Sequence, residues 1–433
     1  MRFTTWATVL AIASGALLSA CGSGGGSSSA NTNVRLLNAS VGYASLDMTV
    51  DSKSVNSAVA YGSVGSYASI STSATATQVL ATGAGTTLTS STPTLAGDSN
   101  YAVIAYGWQG AVRTQLLQET EANPDSGKSK LLVLNLAADA GALDVYLTSA
   151  NDSLDNATPL TSGLAGGSSS GYNTINSGTY RVRLTGYGNK ADLRLDIPSI
   201  TLDSATVQSL IVTATPGGNL VNAMLAKQQG AVAKYDNGSA RVRVIAALPA
   251  SATVVGNVTA GGVKYDLLNA IATPIIGGYK TAVDPTGATV KLTVNGIDLP
   301  VTTPTLAKGG DYSVLVWGEA NAPKVSLLTD NNRLPTIAGT STVRVINAMA
   351  NLNAGISLTA DFSSVLDNVD PGTQSGLANL VSTTTASNFS LSSPLSAVPI
   401  WTASLTNIPQ GGVYVLYAMG SAEKPVVQLK KER

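Results

Sequence analysis

An all-β chain built from four tandem antiparallel β-sandwiches is the fold the sequence predicts, on three observations. The first is composition: Thr, Val, Ser, Gly and Tyr are frequent, whereas charged residues make up only 12%, about half the usual share for soluble domains. β-Branched and aromatic side chains suit a pleated surface, and small residues suit its corners. The second is a recurring unit. VRLLNA at Val34, LLVLNL at Leu131, VRVIAA at Val242 and VRVINA at Val343 open four stretches at intervals of 97, 111 and 101 residues. The third is length, since 433 residues exceed what one core organises and about 100 residues make an ordinary sandwich.

The elements follow in order. Arg2 precedes an apolar run over residues 6–18, which ends in Ser19, Ala20 and Cys21, the single cysteine of the chain. A basic start, an apolar core of about a dozen residues and small residues at its end are the layout of a secretory signal peptide, here 1–20. The run is shorter than the roughly 20 residues of a spanning helix. Leu18-Ser19-Ala20-Cys21 resembles the bacterial lipobox. That resemblance implies diacylglycerol on the Cys21 sulfur, cleavage before it and acylation, with palmitate or a similar fatty acid, of the new amino terminus. Three acyl chains, at about 0.8 kcal/mol per buried CH₂, anchor stably where one does not. Gly22 in place of Asp implies, within the same resemblance, an outer-membrane, extracytoplasmic location. A lone cysteine excludes intramolecular disulfides. Residues 22–33 are Gly, Ser, Ala, Asn, Thr, a flexible tether whose root-mean-square span is about 20 Å.

The sandwiches are placed at 34–119, 130–228, 240–330 and 341–433. Each opens on an apolar run with a period-two tendency, as a first strand should. SLDMTV from Ser45 and ALDVYL from Ala142 alternate as second strands, and YRVRLTGYG from Tyr180 shares its phase and closing glycine turn with ATVKLTVNG from Ala288. Units one, three and four close on Tyr101, Tyr312 and Tyr414, each followed six residues later by Gly107, Gly318 or Gly420. Unit two has SLIVTATPGG there, without the tyrosine. A second apolar run after the glycine makes this a terminal hairpin. Polar stretches at 120–129, 234–239 and 329–335 read as boundaries. An odd number of strands per sandwich puts its termini at opposite ends, so the units are expected to stack as a rod of about 100 Å.

VRLLNAS with LDMTV, VRVINA, and the hairpin from Tyr to Gly resemble a bacterial family of tandem immunoglobulin-like extracellular domains of unknown function, often on lipoproteins. Its usual opening is V-R-V-x-N-A-S-P followed by D-V-Y. Ala39-Ser40, Ala348 and Asp144-Val145-Tyr146 keep parts of that pattern, and no unit keeps the proline after the serine. The resemblance covers nearly all of 34–433 and implies four immunoglobulin-like sandwiches.

Chemistry is narrowed mainly by absences in composition. Twenty-five basic and 25 acidic residues cancel, so no net field draws in nucleic acid. There is no histidine, which removes Ser-His-Asp and Cys-His sites, His-ligated zinc and the commonest base near neutral pH. Carboxylate pairs remain, with Asp139/Asp144 and Asp152/Asp155 as candidates for glycoside hydrolysis, set against ordinary turn hydrogen bonding. Asp152, Asp155 and Asn156, or Asp236 and Asn237, or Asp330, Asn331 and Asn332, are candidate calcium loops, although none follows the twelve-residue pattern with its terminal Glu. The glycine-rich stretch 163–171 lacks the Lys and Ser/Thr of a phosphate loop. Tyr106 with Trp108 is a candidate sugar or peptide site at a loop tip, and the tail Lys430, Lys431, Glu432, Arg433 reads as a solvated end. The expectation is a lipid-anchored envelope protein without cofactor, metal or catalytic residue. It meets the membrane through Cys21 and a glycan or protein ligand through its domains. A carboxylate-dependent glycan hydrolase and a purely structural stalk are the alternatives.

Overall fold

The computed structural model describes residues 30–433 apart from positions 75, 250, 406 and 407, so Cys21, the signal peptide and most of the tether lie outside the described residues. Eight β-sheets pack in four pairs, and the helical content is one 3₁₀ turn, Ala138–Ala140, among the described residues. Unit one sets the plan with β1 (Asn31–Ala39), β2 (Ser45–Val50), β3 (Lys53–Ala60), β4 (Ala68–Ser71), β5 (Thr77–Ala81), β6 (Thr87–Ser91), β7 (Asn100–Trp108) and β8 (Ala111–Gln118). One sheet has the order β4-β1-β7-β8 and the other β3-β2-β5-β6. Alternation fills the space between them: Val34 and Leu36 of β1, Leu46 and Met48 of β2, and Val103 and Ala105 of β7 share one core. The counterparts of β1 are Lys128–Asn135, Ala240–Ala246 and Thr340–Asn347.

The motifs that mark each unit have physical reasons. Asn38, Asn135 and Asn347 lie at or beside the ends of their opening strands and are buried; each donates its amide to a carbonyl of the opposing half of its unit, Val59 (3.0 Å), Leu164 (2.9 Å) or Val369 (2.8 Å). Buried polar groups need such partners. The closing tyrosines put their rings in the core, and the hydroxyls of Tyr101 and Tyr312 accept from the backbone N–H of Ala96 (3.0 Å) and Ala307 (2.7 Å). Gly107 and Gly420 sit at φ 103° and 77°, where an added Cβ would meet the carbonyl oxygen of Ala111 or Lys424 at 2.5 Å. The hairpin cannot close that tightly over any other residue.

Two expectations are corrected. The sandwiches are not wholly antiparallel, because β1 pairs with β7 in parallel, as the other opening strands do with Thr206–Ala214, Asp311–Glu319 and Val413–Gly420. Nor do the units stack as a rod. Since β8 runs antiparallel to β7, an eight-stranded unit returns the chain to the end at which it began, so the next unit lies beside it. Units one and two meet through the outer faces of their opening sheets, with Leu37, Ala39 and Ile104 against Leu134, Leu136, Ile211 and Met224. Units three and four do the same, with Ile245, Ala247 and Leu315 against Ile346, Ala348, Val415 and Met419. Opening strands carry apolar residues on both faces for this reason. Unit two adds a ninth strand, Val232–Tyr235, antiparallel to Val221–Lys227, which carries the chain to the far end of that unit before unit three begins. There Gly217 N donates to Gly309 O (2.9 Å), and Gly218, at φ 87°, lies so close to the backbone of Asn332 that a Cβ would come within 2.9 Å of it.

Candidate functional site

The carboxylates expected to act in pairs are engaged with different neighbours. Asp139 accepts from Trp108 Nε1 (2.7 Å) and from the N–H of Leu334 (2.6 Å), so it fastens the hairpin tip of unit one to the chain between units three and four. Asp144 accepts from Ser162 Oγ (2.7 Å) and the N–H groups of Gly163 (2.8 Å) and Gly188 (2.9 Å). Burial alone would raise its pKa, but these three hydrogen bonds outweigh it and hold the carboxyl below its ordinary value. Asp152 caps Ser149 N (3.0 Å), and Asp155 accepts from Ser153 Oγ (3.0 Å).

The calcium loops are occupied by protein cations. Around Asp152 and Asp155, the carbonyl of Ala150 accepts from Arg181 (3.1 Å), that of Asp152 from Arg183 (2.8 Å), and those of Asp155 and Ala157 from Lys190 Nζ (2.6 and 2.8 Å). Asp236 pairs with Lys234 (2.7 Å), and Asn237 donates to Arg194 O (2.6 Å) and Val221 O (2.9 Å). Among the described residues no group of three or more His, Cys, Asp or Glu is placed to hold a metal ion. The loop-tip aromatics are likewise taken: Trp108 carries the Arg333 guanidinium at 4.4 Å over its ring and packs on the core of unit two, while Tyr106 packs between units one and two.

A constellation that the sequence reading passed over lies on the paired faces. The arginine second in the opening motif (Arg35, Arg243, Arg344) and the acid just after the closing hairpin (Glu119, Asp330, Glu432) recur in units one, three and four. A tyrosine opposite that position recurs as Tyr67, Tyr172 and Tyr279. Unit two has Leu132 and Gln228 instead of the arginine and acid, and unit four has Leu377 instead of the tyrosine. In unit one, Arg35 grips Glu119 with Nε (2.9 Å) and Nη2 (2.5 Å), Tyr67 donates to the same carboxylate (2.5 Å), and Gln229 N of unit two adds a third donor (2.9 Å). Arg35 Nη1 crosses to Gly230 O at 3.0 Å.

At the other face the partners are exchanged. Arg243 of unit three donates to Glu432 of unit four (3.0 Å), and Arg344 of unit four donates to Asp330 (3.2 Å) and to Asn332 (3.1 Å). Asp330 also accepts from Ser313 (2.5 Å) and Tyr279 (2.6 Å), and Glu432 from Tyr417 (2.6 Å). The Tyr279 ring lies 4.2 Å from the guanidinium carbons of both Arg241 and Arg243, a stacked cation–π contact. Glu432 is therefore no solvated tail. Burial pushes its pKa up, but Arg243 and the Tyr417 hydroxyl outweigh that and leave it lowered. Burial raises the hydroxyls of Tyr67, Tyr279 and Tyr417, with the adjoining carboxylates adding to it, so each stays a proton donor. The signal was present in sequence as co-recurrence of Arg, Tyr and acid, but only strand register shows that the three meet.

Residues 32–146 and 240–355 match the family described as "Domain of unknown function (DUF4397)". Each match begins at an opening strand and runs past the opening strand of the following unit, so it takes in one sandwich and the start of its neighbour. Among solved structures, one from Bacteroides eggerthii DSM 20697 described as a "putative cell adhesion protein" is similar at 12% identity and TM-score 0.23, over 48% of this chain and 97% of that one. Another so described, from Bacteroides uniformis ATCC 8492, is similar at 11% identity and TM-score 0.21, over 47% and 98%. The Bacillus anthracis TIE protein is similar at 11% and TM-score 0.16, over 90% and 67%. No curated protein matches the chain.

Proposed function

We propose, from the premise that the chain belongs to the DUF4397 family, that it is a non-enzymatic envelope protein, anchored by lipid on Cys21, that binds or adheres through its folded units. The observation that carries this reading is the commitment of its reactive side chains. Asp139, Asp144, Glu119, Asp330 and Glu432 each hold two or more units or strands together, and their hydrogen-bonding capacity goes to neighbours within the chain. Anchoring is supported by Leu18-Ser19-Ala20-Cys21, and an outer-membrane, extracytoplasmic placement by Gly22 after the cysteine. The partners are the membrane, through acyl chains, and an envelope glycan or protein; nucleic acid is not among them, given the balanced charge.

The test is Cys21→Ser in cells fed labelled palmitate. The wild-type protein is expected to carry label and partition into detergent, and the variant to be unlabelled and released in the aqueous phase. A variant that remains membrane-bound overturns the anchor.

A further inference from the structure

We infer that the outer face of the second sheet of unit four is a binding site for a neutral carbohydrate chain, with Phe362 as its stacking platform. This rests on the reading of the protein as a surface binder and names the ligand class. The face is formed by three strands, Ile356–Ala360, Ser387–Ser392 and Trp401–Leu405. Register places Thr359, Ser390 and Thr402 in one row across them, with Asn388 beside Ser404 in the next. These residues line an open groove of about 550 Å³, bounded by Phe362 and Pro399.

Three features point to an uncharged, hydroxyl-rich ligand. Among the described residues lining the groove none is charged, whereas the matching sheets of units two and three carry the ion pairs Arg181–Asp196 and Lys291–Asp298. Ser404 donates to Asn388 Oδ1, and the hydroxyls of Thr359, Ser390 and Thr402 with the Asn388 amide N–H supply both donors and acceptors, as sugar hydroxyls require. Phe362 is 98% exposed on a two-residue turn in which Asp361 and Phe362 both have positive φ, 47° and 66°. The counterpart turns use Asp51-Ser52 and Gly261-Gly262, residue types suited to that geometry. A bulky ring is strained there, and nothing among the described residues covers it. An apolar platform held at the mouth of a polar groove is what a pyranose face stacks on.

The test titrates the full-length chain in detergent with neutral hexasaccharides of glucose, galactose, mannose and N-acetylglucosamine, by calorimetry. At least one is expected to bind at one site per chain, and Phe362→Gly is expected to weaken it more than tenfold while leaving the melting temperature unchanged or raised, since glycine relieves the turn. Thr402→Lys is expected to weaken it as well. A role for Phe362 confined to the fold would change melting and not affinity. Absence of binding to the whole panel, unaltered affinity in Phe362→Gly, or displacement of the sugar requirement by a peptide at this face overturns the inference. Membrane partition of Cys21→Ser reports separately on the anchored-binder reading, so the two can fail independently.

Discussion

The face between units one and two and the face between units three and four follow one plan with different symmetry. Between three and four both units have the arginine and the acid, and each arginine reaches the other unit's carboxylate. Between one and two only unit one has them; its pair closes on itself, and unit two answers with the neutral groups Gln229 N and Gly230 O. The apolar contacts are alike in kind. Burial of those side chains supplies the attraction, at about 25 cal/mol per Å² of apolar surface. The ions cannot be credited with the same role, because desolvating two charges costs about as much as their attraction returns. Arg243 Nη2 and Arg344 Nε even lack hydrogen-bond partners. In the exchange each unit's arginine and acid are met by the opposite charge of its neighbour, and a neighbour lacking them would leave those charges buried and unpaired.

The largest effect should come from Asp330→Ala, which leaves Arg344 without its carboxylate, Arg243 with one countercharge fewer, and Ser313 and Tyr279 without an acceptor. A loss of about 3–5 kcal/mol in urea unfolding is expected, as for other broken buried pairs. Glu119→Ala should sit at the lower end of that range because a single arginine is stranded and keeps Gly230 O. Asp330→Leu combined with Arg344→Met should recover most of the loss. If the double variant is as unstable as the single, the pair itself stabilises the face, and the contrast between the faces must be redrawn.

A smaller effect should follow pH. Glu432 has its pKa lowered in the folded protein, so its contribution is fully present above the ordinary glutamate range and is lost as the pH falls through the lowered folded value. Acid should therefore loosen the exchanged face, and Glu432→Gln should flatten the stability profile below the ordinary glutamate range, measured by thermal melting. A variant with an unaltered acid limb would show that other carboxylates set it.

How much of this was legible in sequence depended on range. Opening strands, closing hairpins and their glycines were readable because alternation and positive φ are local demands, as Gly107 and Leu36 illustrate. The parallel pairing of β1 with β7 was not, since nothing within either strand records its partner. The boundary read at 234–239 overlaps the strand Val232–Tyr235, whose short, half-polar sequence looks like linker and gains its strand from pairing with Val221–Lys227. That single strand decides whether the chain turns back or moves on. The polar candidates were seen residue by residue; Asp330 and Glu432 took on meaning only beside Arg344 and Arg243, about 14 and 189 positions away in the chain.

The smallest effect is expected where the two pairs of units touch. Arg433 donates to Gly218 O (2.8 Å) and Asn219 Oδ1 (2.7 Å) of unit two, which suggests a latch. Its electrostatics argue otherwise: burial pushes its pKa down to about 10, and Arg194 and Arg241 add repulsion that Asp139 and Asp311 only partly offset. The hydrogen bonds gained are thus set against a charge that the site disfavours, and the backbone bond from Gly217 to Gly309 persists without it. Arg433→Ala should change stability by no more than about 1 kcal/mol and leave proteolysis of the 331–335 segment unchanged. A loss of several kcal/mol, or rapid cutting there, would move the decisive contact from the faces within each pair to the seam between them.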